Sequence, residues 1–233
     1  MFLHPQKGVN KLKDIEISSL FSMEHTIAAS LFSGHTYPFE VLPEISAFII
    51  KLVKTLDPEK FEKRGDDVYI AKSAKVAPTA YIAGPCIIDE NAEIRHCAFI
   101  RGSAIVGKNC VVGNSTELKN VVLFDNVQVP HYNYVGDSIL GYRSHMGAGS
   151  ITSNVKSDKT PVTVKTPDGA IETGLKKFGA VLGDCVEVGC GSVLNPGTVI
   201  GKNTNVYPLS SVREFIPAGS IYKKRGEVAE KRL

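Results

Sequence analysis

The sequence predicts a mainly β fold, a parallel β-helix built from six-residue repeats, preceded by a small helical region. Two observations predict it: apolar residues recur at every sixth position, and the residues four positions after them are small or β-branched, with the exception of Gln128. A period of six matches neither the 3.6-residue period of an α-helix nor the two-residue alternation of a strand. Self-similarity at a fixed period instead indicates a solenoid, here with three hexapeptides to each turn.

The apolar positions are predicted to point inward and to stack on their copies one turn away. They run from Ile70 to Phe124 and return from Leu182 to Val212. The first set comprises Ile70, Val76, Ile82, Ile88, Ile94, Ile100, Val106, Val112, Leu118 and Phe124, and the second comprises Leu182, Val188, Leu194, Ile200, Val206 and Val212.

Composition restricts the class of protein. The chain has 233 residues, 43% of them hydrophobic, and a net charge of +3, so neither wholesale disorder nor a nucleic-acid surface is expected. No apolar run is long enough for a membrane span, and the N-terminus lacks the features of a signal peptide. The five cysteines include no CxxC pair. We therefore expect reduced thiols and a cytoplasmic location.

Residues 1–66 break the hexapeptide rule and are predicted to form a helical cap over the open end of the solenoid. One apolar helix face would run from Ile15 to Leu31 and stop at Gly34. A second would run from Ile45 to Leu56 and end before Asp57-Pro58.

The β-helix is predicted over residues 67–215, with two interruptions. The register slips within Val129 to Ile139, and Lys156 to Phe178 reads as a hairpin that turns at Pro167-Asp168-Gly169 and stands off the coil. Residues 216–233 are predicted to be a solvated basic tail. Interruptions in solenoids become loops on one face, often the binding face, so functional residues are expected there.

Polar residues concentrate around the register slip. His131 and His145 lie in and just beyond it, with Glu117 and Lys119 upstream, Tyr134 three residues after His131, and Asn154 further on. A base, a carboxylate, an amide, a phenol and a cation suit the deprotonation of a nucleophile on a polar anionic substrate.

The segments GNSTELKN, VPHYNYVGD and MGAGSITSN carry a family resemblance. They resemble the acetyltransferase half of the bifunctional N-acetylglucosamine-1-phosphate uridyltransferase/glucosamine-1-phosphate acetyltransferases, which are hexapeptide left-handed β-helix acyltransferases. The resemblance covers roughly Val68 to Arg225. It implies a left-handed coil, a homotrimer with active sites between subunits, and transfer from acetyl-CoA to an amino-sugar phosphate without a metal. The uridyltransferase domain has no counterpart here.

The resemblance also implies roles for individual residues. His131 falls on the family's catalytic base, Glu117 on its supporting carboxylate, and Asn154 on the asparagine that holds the amine. The substrate-binding positions fall on Arg101, Lys119, Tyr134, His145 (an asparagine in the family) and the mobile-loop lysine Lys177. The coenzyme A contacts fall on Ala148, Cys190 (a serine in the family), Pro208 and Arg225.

Two alternatives remain open at the level of sequence. The chain could be a non-catalytic sugar-nucleotide-binding or scaffold protein, which would keep Arg101 and Lys119 but need no base. It could also resemble γ-type carbonic anhydrases, with zinc held between subunits by His96, His131 and His145.

Overall fold

The computed structural model describes residues 12–224 and 226–231, and most of the described chain forms one long parallel β-helix. An N-terminal segment of short helices precedes it. The predicted fold class, a mainly β left-handed hexapeptide β-helix with an N-terminal helical region, is confirmed. None of the helices among the described residues has the length and hydrophobicity needed to cross a bilayer.

The strands form three flat faces, numbered here in chain order. Face one contains Val68–Ala71, Cys86–Ile88, Ala104–Val106, Ala180–Leu182, Thr198–Ile200 and Phe215–Ile216. Face two contains Lys75–Val76, Glu93–Ile94, Val111–Asn114, Gln128–His131, His145–Met146, Glu187–Val188, Asn205–Val206 and Ser220–Lys224. Face three contains Tyr81–Ile82, Phe99–Ile100, Ile151–Thr152, Val193–Leu194 and Ser211–Val212. Two longer strands, Glu117–Leu123 and Tyr134–Leu140, run from face three round a corner into face one.

The predicted inward positions fill the interior of the regular turns. Ile88, Ile94 and Ile100 are at most 1% exposed, and each pairs with the residue eighteen positions further on. Cys86 and Cys110 occupy small inward positions, and burial raises the pKa of the Cys86 thiol to about 12. All five cysteines are unpaired.

Two consecutive turns are shorter by one residue. Leu118 pairs with Ile100, eighteen residues earlier, whereas Val121 pairs with Ala104, only seventeen earlier. The missing position is at the corner Lys119–Asn120, and the next corner, Gly136–Asp137, is equally short. The first slip therefore precedes the predicted interval of Val129 to Ile139, and the second lies inside it.

The early slip makes one predicted inward position wrong. Leu123, not Phe124, pairs with Val106 and Leu140 and continues the interior stack. Phe124 is displaced to the outside of the coil, where its ring contacts Phe21 and Phe32 of the N-terminal segment, with ring centroids 4.9 and 5.6 Å away. It is buried by that segment and not by the coil interior.

The N-terminal segment lies along the side of the coil and does not cap its end. Its helices are short: 3₁₀ turns at Lys13–Ile15, Met23–His25, Ala29–Phe32, Pro38–Glu44 and Val53–Thr55, and α-helices at Ile17–Leu20 and Ile45–Leu52. The single helix predicted from Ile15 to Leu31 is thus wrong, whereas the second predicted helix is present. The segment is tied to the coil by the Asp125 amide, which donates to the His25 carbonyl, and by the Asp184 amide, which donates to the Leu20 carbonyl.

Face one explains this lateral position. Its strands are buried on both sides, as in Cys86–Ile88 and Ala104–Val106, where every residue is inaccessible to solvent. Ile87 and Ile105 point away from the interior and need a cover. Consecutive apolar residues, as opposed to alternating ones, are typical of strands covered on both faces. The N-terminal segment supplies that cover.

Both ends of the coil are closed by antiparallel strands. Phe61–Gly65, predicted to belong to the helical cap, pairs antiparallel with Val68–Ala71. At the other end, Ser220–Lys224 continues face two beyond residue 215, where the repeat was predicted to stop, and Glu227–Glu230 pairs antiparallel with it. The predicted hairpin consists of Thr163–Thr166 and Gly169–Glu172. Val162 and Val164 of this insertion are fully buried, so its first strand packs against the coil and does not stand off it.

Candidate active site

Face three is bounded by two edges that carry the predicted functional residues. The edge between faces three and one, here the long-strand edge, comprises residues 101–103, 119–120, 136–137, 153–179, 195–197 and 213–214. Both short corners and the inserted hairpin lie on it. The edge between faces two and three, here the histidine edge, comprises residues 113–116, 130–133, 147–150, 189–192 and 207–210.

A buried carboxylate organises the long-strand edge. Asp137 is 3% exposed, and its oxygens accept hydrogen bonds from Lys119 Nζ at 2.8 Å, Asn120 Nδ2 at 3.0 Å and Asn154 Nδ2 at 2.5 Å. A buried charge is tolerated only where it is paired and hydrogen-bonded, and here three donors from the turns on either side, Lys119 and Asn120 from one and Asn154 from the other, surround it. Asp137 therefore fixes the positions of Lys119 and Asn154.

Arg101, Glu117 and Tyr134 complete the cluster. Arg101 donates to Glu117 at 2.8 Å, and this ion pair raises the pKa of the Arg101 guanidinium. Tyr134 lies beside Glu117 in register, and its hydroxyl accepts a hydrogen bond from Asn154 at 3.2 Å. Burial, followed by the negative charges of Asp137 and Glu117, raises the pKa of the Tyr134 phenol. The phenol is consequently held in its neutral form.

Asp137 and Asn120 are not among the residues predicted from the sequence. Both occupy the left-handed region of the backbone, with φ of 48° and 55°, which Asp and Asn tolerate better than most residues. Each is a polar residue in a corner that lacks one position of the repeat, and these short corners are defined by the strand pairing. Asn120 also donates to the Leu42 carbonyl at 3.2 Å, which links the cluster to the N-terminal segment.

The histidine edge brings His131 into line with three predicted coenzyme A contacts. Gly149 N donates to the His131 carbonyl, Gly191 N to the Ala148 carbonyl, and Leu209 N to the Cys190 carbonyl. His131, Ala148, Cys190 and Pro208 thus occupy equivalent corner positions on successive turns, about 4.8 Å apart. All four are exposed.

His131 stands apart from the carboxylates. Its ring has no hydrogen-bond or ion-pair partner in the described part of the chain, and Glu117, its expected support, is bonded to Arg101 instead. Its backbone is held firmly: the His131 amide donates to Asn133 Oδ1 at 3.1 Å, and the buried Asn133 amide group donates to the Gly147 and Ser150 carbonyls. The imidazole is therefore exposed on a rigid corner.

The remaining predicted residues lie elsewhere or outside the described chain. His145 is on face two, where its Nδ1 is 2.8 Å from Glu187 Oε2, and it does not join the cluster. Lys177 is exposed beyond the hairpin. Arg225 lies outside the described residues. Among residues 12–224 and 226–231, no group of three or more His, Cys, Asp or Glu side chains is arranged to hold a metal, so His96, His131 and His145 do not meet within one chain.

Comparison with known families gives one match over more than half of the chain. Residues 82–204 match the family described as the GMPPB C-terminal domain. This interval includes both short turns, the inserted hairpin and every candidate site residue from Arg101 to Cys190.

Curated relatives include acetyltransferases. The chain is 32% identical over 178 residues to the uncharacterized acetyltransferase YaiX of Escherichia coli O6:K15:H31. The aligned region covers 76% of this chain and 77% of YaiX. It is 37% identical over 114 residues to the bifunctional protein GlmU of Methanococcus maripaludis, covering 48% of this chain. The chain spans only 28% of that GlmU protein's length.

Among solved structures, AntD, an N-acyltransferase from Bacillus cereus crystallised as a mutant with dTDP and coenzyme A, matches 75% of this chain and 91% of its own. The identity is 18% and the TM-score is 0.34. A TM-score this low supports no inference about this chain.

Proposed function

This chain belongs to the GMPPB C-terminal domain family and to the hexapeptide-repeat acyltransferases, and we propose that it transfers an acetyl group from acetyl-CoA to the amine of an amino-sugar phosphate. One observation carries this proposal: the two edges of face three hold complementary groups. The exposed His131 lies on one edge with its backbone fixed, and the cluster of Arg101, Lys119, Tyr134 and Asn154 lies on the other.

In the proposed reaction, a neutral nitrogen of His131 accepts a proton as the sugar amine attacks the thioester carbonyl carbon. A carbon–nitrogen bond forms, the carbon–sulfur bond breaks, and the departing coenzyme A thiolate takes the proton back from the imidazolium. Backbone N–H groups on the coil would stabilise the tetrahedral oxyanion. Asn154 would hold the amine.

The acceptor phosphate would bind Arg101 and Lys119. A guanidinium has five N–H donors, and Arg101 gives one of them to Glu117. The remaining donors can bind a phosphate, and Lys119 adds a second positive charge. A phosphate on Arg101 would compete with Glu117 and so free that carboxylate to support His131. We further propose that coenzyme A follows Ala148, Cys190 and Pro208 along the histidine edge, and that sites form between the subunits of a homotrimer.

Acetyl-CoA and glucosamine 1-phosphate should yield N-acetylated product, detected by mass spectrometry, at a rate that depends on His131. The His131→Ala variant should lose at least about a hundredfold in kcat. His96→Ala is the matched control, because His96 is also an exposed corner histidine, and its Nδ1 is hydrogen-bonded to Thr79 Oγ1 at 2.6 Å. Equal product from wild type and His131→Ala across a panel of amino sugars would refute the proposal.

The same variants separate the enzyme from a non-catalytic binding protein. An enzyme loses turnover in His131→Ala while retaining ligand affinity. A binding module retains its whole function.

A further inference from the structure

Two aromatic side chains stand exposed on face three next to the cluster. Tyr81 is 64% exposed and Phe99 is 41% exposed. They lie on neighbouring turns in direct register, with their ring centroids 5.7 Å apart and their planes tilted by 60°. Single exposed apolar residues are ordinary on protein surfaces, but two adjacent aromatic rings form a continuous apolar surface. We call Tyr81 and Phe99 the aromatic shelf.

The aromatic shelf is continuous with the candidate acceptor site. Tyr81, Phe99, Glu117 and Tyr134 occupy the same outward position on four successive turns of face three. The Arg101 guanidinium carbon lies 6.0 Å from the centroid of the Phe99 ring, within the range of a cation–π contact. One side chain thus touches both the aromatic shelf and the ion pair with Glu117.

The order of chemical groups along the face matches one class of molecule. From Tyr81 towards Tyr134 the face presents aromatic rings, then the cations Arg101 and Lys119 with their carboxylate partners Glu117 and Asp137, then the neutral phenol and the amide of Asn154. The three steps from Tyr81 to Tyr134 span about 14 Å at the usual strand spacing. A base, a diphosphate and a sugar joined in that order have this length and this sequence of apolar, anionic and polar parts.

We propose that the acceptor is a nucleoside-diphosphate-linked amino sugar whose base stacks on the aromatic shelf. The diphosphate then lies against Arg101 and Lys119, and the amine reaches Asn154. Stacking on an aromatic ring is tolerant of base identity, since every base has a π face. The inference deepens the proposed function and rests on it for the placement of the amine.

The first test measures binding without turnover, by titration calorimetry on the full chain. Uridine diphosphate should bind the wild type more tightly than inorganic pyrophosphate does. Phe99→Ala and Tyr81→Ala should each weaken uridine diphosphate binding about tenfold and leave pyrophosphate binding unchanged. Phe99→Trp should restore the affinity. Tyr207→Ala is the control, because Tyr207 is a 46% exposed tyrosine on the histidine edge.

The second test compares acceptors in the acetyl-transfer assay. The ratio of kcat/KM for a uridine-diphosphate-linked amino sugar to that for glucosamine 1-phosphate should exceed about ten in the wild type and fall towards one in Phe99→Ala. An unchanged ratio, or equal binding of uridine diphosphate and pyrophosphate, would overturn the proposal. Uridine diphosphate binding that depends on Phe99 in a protein without transfer activity would refute the proposed function and still support the aromatic shelf.

Discussion

The regular and the shortened turns of the coil differ by a single residue, and the candidate site lies at the shortened ones. In the regular turns, Ile88, Ile94 and Ile100 repeat at eighteen-residue intervals, and their outward neighbours vary. In the two shortened turns, the corners at Lys119–Asn120 and Gly136–Asp137 each lack a position. These corners supply Lys119 and Asp137, which form a hydrogen-bond network with Asn154 of the next turn.

The buried carboxylates of the two regions show the same contrast. Asp137, in a shortened corner, has three donors. Asp89, which follows a regular strand, is 1% exposed; one oxygen accepts from the Glu90 amide and the other has no partner in the described chain. The deleted position thus brings side chains from neighbouring turns around Asp137, whereas one oxygen of Asp89 lacks a partner in the described chain.

Charge placed inside a regular turn should have the largest effect on stability. Ile94→Asp would bury an unpaired carboxylate and should lower the free energy of unfolding by about 4 kcal/mol or more. Val111→Asp is the control, because Val111 points outward on the neighbouring strand and should cost less than about 1 kcal/mol. Chemical denaturation measures both. A folded Ile94→Asp protein of wild-type stability would contradict the inward direction of that residue.

Alanine substitutions of the adjacent residues Leu123 and Phe124, at the first slip, should destabilise different parts of the molecule. Leu123→Ala removes part of the coil interior, and Phe124→Ala removes the contact with Phe21 and Phe32; each should cost about 3 kcal/mol. Hydrogen exchange distinguishes them. Phe124→Ala should accelerate exchange in residues 12–56 selectively, whereas Leu123→Ala should accelerate it on neighbouring strands of the coil. The reverse pattern would place Phe124 inside the coil and the slip after it.

Asp89 should produce the smallest effect, and one that depends on pH. Burial raises the pKa of the Asp89 carboxyl in the folded protein. Below the unfolded pKa of about 3.9 the carboxyl is neutral in both states, and its full contribution to stability is present. That contribution is lost as the pH rises through the folded pKa, because ionising the buried group then costs free energy. Asp89→Asn stays neutral and should raise the free energy of unfolding at pH 7 by about 1 kcal/mol. The gain should vanish near pH 4. A gain of equal size at both pH values would contradict this account.

The hexapeptide period was sufficient to predict the fold class and the interior of the regular turns, because an inward position admits only apolar or small side chains. It could not place the first slip, since Val122, Leu123 and Phe124 are all apolar and any of them could be taken as the inward residue. The lateral position of the N-terminal segment also escaped prediction. The consecutive apolar residues of the strands in face one indicate that this face is covered on both sides.

The candidate site was predicted in part. The resemblance to acetyltransferases led to Arg101, Glu117, Lys119, Tyr134 and Asn154, which the fold brings together on one edge. Asp137 was missed because a carboxylate buried by residues from neighbouring turns has no signature within its own hexapeptide. Contacts between turns depend on register, and the register became certain only with the strand pairing.

Asp137→Asn and Asp184→Asn, compared side by side, test most directly whether the shortened corners build the active site. Both carboxylates are buried and each meets a lysine, Lys119 at 2.8 Å and Lys202 at 3.1 Å, but Asp184 lies far from the cluster, beside Ser22 of the N-terminal segment. Asp137→Asn should lower kcat/KM for acetyl transfer about a hundredfold through misplacement of Lys119 and Asn154. Asp184→Asn should keep wild-type turnover at similar stability. Equal turnover in the two variants would contradict the account.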